Sequence, residues 1–230
     1  MTQAGFRLAG VLAVTLGVAA LAFVALPSLL GAAASDGGEG ECISLAKEVE
    51  ETGFTVPIDG RDLVVPKVSL SRLVWKSLDA EHAELRSTLD VHGTLGKTEV
   101  TALGSERTGF VRRNSRWTLD GALTPRLNEV VSRLERRRRV LESGEASEAA
   151  NLQADPDAGF PDELKEFWSL KRRAWKVTRW SIRLEREGAV VTEDAVLEGD
   201  GQDAPESKHR ARRLELVQTQ RGLLFAHGIM

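Results

Sequence analysis

Between Leu8 and Leu30 the chain has no hydrophobic rhythm at all: the run LAGVLAVTLGVAALAFVALPSLL holds no charged side chain. As a helix rising about 1.5 Å per residue it reaches roughly 34 Å, enough for a hydrocarbon core of about 30 Å. A helix packed on a water-facing domain would show a polar stripe, and this one has none. Two readings follow. As a signal peptide, Arg7 is the basic leader, Pro27 ends the helix, and Ala32 to Ala34 supply small residues for cleavage between Ala34 and Ser35. As a signal anchor the segment stays in the membrane, which its apolar length favours. Arg7 precedes the run, whereas Asp36, Glu39 and Glu41 follow it. That bias puts residues 35–230 on the periplasmic or extracellular side in either case.

Beyond residue 34 the rhythm changes with position. SDGGEGE at 35–41 reads as an acidic linker, and 35–66 as linker plus extended segment, with Pro57 and Pro66 favouring edge strands or loops. ISLAKEVEE sets Leu45, Ala46 and Val49 on one face of a short helix. Residues 68–78 fit either a helix or a strand. In LRSTLDVHGTL, Leu85, Leu89, Val91 and Leu95 alternate with Arg86, Thr88, Asp90 and His92, the period of a half-buried strand. Gly96-Lys97 turns it into TEVTAL, and RTGFVRR turns through Asn114-Ser115 into RWTLDG. Residues 67–123 therefore predict an antiparallel β-rich subdomain.

Residues 124–230 begin with Thr124 as N-cap and Pro125 at the first helical position. Leu127, Val130, Val131, Leu134 and Leu141 mark the buried face, and Gly144 suits the position just past the end. After the LESGEASEAANL step, Pro161 opens a second helix burying Leu164, Phe167 and Trp168. KVTRWSIRLERE and AVVTEDAVLE flank Gly188 as a hairpin. The inward set shifts from Trp175 and Val177 to Trp180, Ile182 and Leu184, which predicts a bulge near Thr178-Arg179. Residues 200–209 read as a solvated loop before ARRLELVQTQ and LLFAHG. The whole is an α+β fold: a membrane helix or signal peptide, then antiparallel meanders with packed helices.

The order helix, short helix, helix, then four hairpin-joined strands over 125–230 resembles the NTF2-like (SnoaL-like) superfamily. The resemblance covers about half the chain and rests on element order. It implies a twisted sheet curled around helices into a cone with an apolar pocket. The first half ends in RWTLDG much as the second ends in LLFAHG, which raises a degenerate repeat.

Composition narrows the role. Of 31 basic and 34 acidic residues, all but Arg7 follow residue 34, and so balanced a charge argues against bulk nucleic-acid binding. The single Cys42 excludes an internal disulfide and reads as an incidental linker residue. Arg outnumbers Lys by 23 to 8 and Tyr is absent, a codon bias that points to a bacterium with a GC-rich genome.

Candidate chemistry is sparse. HGTLGKT at 92–98 lacks the glycine five residues before Gly96 that a phosphate loop needs, and a strand follows it, so it reads as a hairpin turn. His82, His92, His209 and His227 have no metal-ligand spacing, and neither a metal nor a cofactor is expected. Enzymes of the resembled superfamily, such as ketosteroid isomerases, use a carboxylate and a tyrosine in the cone. Glu193 or Asp194 could supply the carboxylate, but no tyrosine is available. Arg133 with Arg136, Arg137, Arg138 and Arg139 forms a basic run, expected to face solvent opposite the apolar stripe; anionic lipid or an acidic envelope partner would fit it. Phe167, Trp168, Trp175 and Trp180 are either core or the wall of an apolar pocket. The reading is a non-enzymatic binding or assembly module of the bacterial envelope, held to the membrane through residues 8–30 if uncleaved. The alternative is a small-molecule carrier or enzyme using the second-half cone.

Overall fold

The alternation of Leu85, Leu89, Val91 and Leu95 folds as read: these side chains line the buried face of strand β3 (His82–Leu95). Gly96, at φ +60°, turns the chain into β4 (Thr98–Arg113), which pairs with β3 from His82↔Val111 to Leu95↔Thr98. TEVTAL and RTGFVRR are one continuous strand. Asn114 and Ser115, at φ 50° and 65°, then return it as β5 (Arg116–Leu119), both left-handed as a two-residue hairpin turn demands.

The computed structural model describes residues 38–200 and 205–230, which lie within one compact unit, residues 36–230. The apolar run 8–30 and the Ala34-Ser35 junction fall outside the described residues. No helix among the described residues is long and apolar enough to cross a membrane.

Two expectations for 35–66 and one for 200–209 are corrected. Helix α1 (Gly38–Thr52) already starts inside the segment read as a linker, and it carries Cys42 into the core at 0% exposure. Burial pushes the Cys42 thiol up. After α1 come β1 (Phe54–Ile58) and the seventeen-residue β2 (Arg61–Ser77), which settles 68–78 as strand. Pro66 is tolerated within β2 because the register with β3 shifts between Val64 and Lys67, freeing the ladder there. The predicted loop 200–209 is strand from Pro205 onward.

Helix α2 (Pro125–Ser143) ends as read, at Gly144 in the left-handed conformation, with its N–H donating to the Val140 carbonyl. Its start differs from the expectation. Thr124 makes no side-chain capping bond; the buried carboxylate of Glu106, on β4, accepts from the amides of Arg126 and Leu127 instead. Burial raises the Glu106 carboxyl above its ordinary range, opposed by these amides and that of Arg107. Short helices α3 (Ala146–Asn151) and α4 (Asp162–Ser169) follow. The chain then enters β6 (Lys171–Glu185), β7 (Gly188–Asp200), β8 (Pro205–Thr219) and β9 (Gly222–Phe225).

The nine strands among the described residues form one sheet in the order β1-β2-β3-β4-β6-β7-β8-β9, with β5 pairing β4. Stretches 67–123 and 124–230 therefore share a sheet. Their junction is the parallel pair β4 and β6, from Glu99↔Arg179 to Gly104↔Leu184; the other pairings are antiparallel. The sheet curls into a half-barrel around the helices. Helix α1 packs on β2 and β5, and α2 on β1, β4, β6 and β9.

The repeat raised by the sequence is present in the register. The pair His82↔Val111 recurs as Gly188↔Val217, and Phe110↔Leu119 as Leu216↔Phe225, each shifted by 106 positions (82 to 188, 110 to 216). Inward side chains follow the same shift: Ala83, Leu85, Ser87, Leu89 and Val91 become Ala189, Val191, Glu193, Ala195 and Leu197. Even the hydrogen bond from Asp120 N–H to the Gly109 carbonyl recurs, as Ala226 N–H to Glu215.

Candidate functional site

Strand alternation places Glu193 in the middle of an inward row between Val191 and Ala195, and it is 0% exposed. On the neighbouring β6, Trp175 and Trp180 differ in parity, so a regular strand would point one of them outward. The register shift between Val177 and Arg179, at the position the sequence indicated, turns both inward. Opposite them, α2 presents Arg137.

These four side chains meet. Both Glu193 oxygens accept from Arg137 Nη1, at 3.0 and 2.8 Å. Oε1 also accepts from Trp175 Nε1 at 3.1 Å, and Oε2 from Trp180 Nε1 at 2.9 Å. Arg137 Nε donates to the Ile229 carbonyl, which ties the segment after β9 to the cluster, while Nη2 is buried without a partner. The guanidinium groups of Arg137 and Arg212 each lie 5.3 Å from the Trp175 ring centroid, within cation–π reach.

The arrangement is closed rather than receptive. Trp175, Trp180, Arg137 and Glu193 all have 0% exposure, so no water-sized space reaches them from the surface or from an internal cavity. Of the two carboxylates considered for base chemistry, Glu193 does point inward. Its lone pairs, however, are taken by one guanidinium and two indoles, so none faces a substrate. Phe167 is buried edge-on to Trp175 at 5.5 Å. Trp168 is half-buried, donating to the Leu141 carbonyl and packing edge-on to Phe160. Trp175 and Trp180 are thus core packing around an ion pair, while Phe167 also lines a cleft with Glu163, Leu170 and Leu197.

The basic run is also redistributed. Arg137 is not on the solvated face but in the core. The sequence carried a signal for this: the stripe Leu127, Val130/Val131, Leu134, Leu141 steps by three and four, and the missing step falls on 137 and 138. Arg138 bridges Glu135 and Glu142, and Arg139 pairs with Asp59 at 2.8 Å. Hydrogen bonding to Glu135 and the charges around it raise Arg138. The Arg133 guanidinium lies over Gly222, and Arg136 stays half-buried beside Asp59, Glu145 and Glu148. Acidic neighbours thus hold Arg138 and Arg139.

On the outer face, across the parallel junction, an open groove of about 500 Å³ runs between Asp90, His92, Leu103, Arg183 and Arg213. Leu103, one of its lining residues, is 54% exposed. Nothing in the sequence marked this groove, because it forms only where β4 and β6 are brought together from distant parts of the chain.

No protein-family model matches the chain, and no curated protein matches it. A solved structure titled "Ntf2 like protein involved in plasmid conjugation" is similar over 73% of this chain and 77% of its own, with 9% identity and a TM-score of 0.34.

Proposed function

We propose that residues 36–230 are a non-enzymatic binding or assembly module of the cell envelope, NTF2-like in build. The module stands on the outer side of the membrane, held by residues 8–30 or released by cleavage before Ser35. The observation that carries the non-enzymatic part is the closed Arg137–Glu193–Trp175–Trp180 cluster. The resemblance implies an apolar pocket in the second-half cone, whereas these four side chains are fully buried against one another. The export part rests on the uncharged run and the charge bias around it.

Protease added to spheroplasts should degrade the folded region while leaving a cytoplasmic control intact, and the mass of the chain should reveal retention or cleavage. A protected chain would sink the export reading. Separately, the Trp175 and Trp180 contribution to emission, titrated with a panel of lipids and apolar small molecules, should stay flat, since both of these indoles are sealed. A saturable blue shift that vanishes in Trp180→Phe would overturn the closed-interior reading.

A further inference from the structure

The repeat exposes one unequal pair of edges. In the first half, the edge of β4 over Glu99–Gly104 is covered by β6. The equivalent edge of β8, 106 positions on at Pro205–Arg210, has no neighbouring strand among the described residues, and neither does its continuation to Arg213, because β9 pairs only with Leu216–Thr219. The direction of its backbone groups is known. The Glu215 carbonyl accepts from Ala226 on the side away from β7, and residues two apart on a regular strand point the same way. His209, Ala211 and Arg213 therefore aim N–H and C=O off the edge. Pairing with β7 runs from Gly188↔Val217 to Asp200↔Pro205 without a register shift. β4, by contrast, distorts at Gly104 (φ +139°), where its pairing with β6 ends.

The side chains along this edge are KHRARR, residues 208–213. Arg210 and Arg212 both reach a single carboxylate, Glu163 on α4. Arg213 lies on the outer face in the groove with Arg183 and His92. A second copy offering the edge equivalent to β6, that of β2, would bring Arg72 and Lys76 against this basic strand, which disfavours self-pairing.

We propose that the edge of β8 over His209–Arg213 binds an extended, acidic segment of a partner protein by strand addition. Backbone pairing to His209, Ala211 and Arg213 gives the register, and the flanking guanidinium groups select carboxylates. The inference rests on reading the chain as a binding module and names its partner's chemistry.

The test uses the purified full-length chain and a labelled ten-residue peptide of alternating Glu and Val, read by anisotropy. Binding should saturate and weaken with salt. Ala211→Pro should weaken it at least about tenfold, since proline removes an outward N–H without touching the β7 ladder. Arg213→Glu should do the same. A peptide of equal charge with proline at alternate positions should also bind at least about tenfold more weakly, whether or not the variants fold. Peptide binding should slow hydrogen exchange at the Ala211 amide. Equal binding by the proline peptide would mean charge attraction without strand addition and would overturn the proposal. So would an absence of binding, or a dimer dissolved by Ala211→Pro. Any of these, with the chain still exposed on the outer side of the membrane, leaves the module reading standing and removes only this site.

Discussion

At the scale of single residues, the molecule places charge where an apolar fold would place leucine. Arg137 sits at the step of the α2 stripe between Leu134 and Leu141, and Glu193 sits within a row of Val and Ala. Neither is stable alone: an unpaired ion in this interior loses hydration with nothing in return. Arg137→Met should therefore cost about 3–5 kcal/mol, the usual consequence of breaking a buried pair. Adding Glu193→Gln should recover part of that loss, because the amide oxygen still accepts from an indole and no bare charge remains. Urea unfolding of the two variants checks this; an Arg137→Met effect below about 1 kcal/mol would show that the pair adds little. Glu106 offers a pH-dependent counterpart. Its carboxyl is raised by burial, so the folded chain holds that proton more tightly than the unfolded one. The associated stability is full below the unfolded value and is lost as pH rises through the folded one. Urea midpoints taken from about pH 4 to pH 8 should carry this declining component in the wild type and lack it in Glu106→Gln. Parallel profiles would sink the assignment. Glu106→Gln should also cost about 1–2 kcal/mol near neutrality, since its NH2 group would face the Leu127 amide.

At the scale of elements, local patterning was legible and pairing was not. Leu85 to Leu95 announced a strand because period two needs only neighbours in sequence, and Thr178-Arg179 announced a bulge because a change of parity is a local fact. Pro125 and Gly144 bracketed α2 for the same reason. Glu106 as the cap of α2 was invisible, because its role depends on β4 passing under the helix start, about twenty residues away. The parallel junction was invisible too: it joins Glu99–Gly104 to Arg179–Leu184 and needs no shared motif. Arg137 lay between these extremes. Its helical phase was readable, but the Glu193 that makes its burial possible stands on a distant strand. Gly104 lets the junction close. At φ +139° an alanine methyl would lie 2.1 Å from the Leu184 carbonyl oxygen, so Gly104→Ala forces β4 and β6 apart. A loss of about 2–4 kcal/mol follows from combined backbone strain and a broken ladder. At Gly109 the nearest non-neighbour atom is 3.5 Å away, so Gly109→Ala serves as the control and should shift the thermal midpoint little. Equal shifts would mean that the junction tolerates separation.

At the scale of the whole molecule, the two repeats are alike in register but not in self-sufficiency. Helix α1 lies over strands of the first half, whereas α2 packs on β1 and β4 as well as on β6 and β9, and the second half leans on the first in two further places. β6 takes its parallel partner from β4, and the amino end of α2 takes its cap from Glu106. Cutting the chain before Thr124 would strip both, leaving the edge of β6 open over Arg179–Leu184 and orphaning two helix amides. The first repeat has a matching debt: Arg61 reaches Glu135 and Asp59 reaches Arg139, both on α2. Residues 36–230 should therefore unfold in urea as one transition, coincident by fluorescence and circular dichroism. Residues 124–230 expressed alone should show no cooperative transition, and their indoles should emit as solvent-exposed. If that fragment instead unfolds cooperatively, with buried Trp175 and Trp180 emission, the second repeat is an independent folding unit. The junction with β4 would then be docking between two finished halves rather than part of a common core.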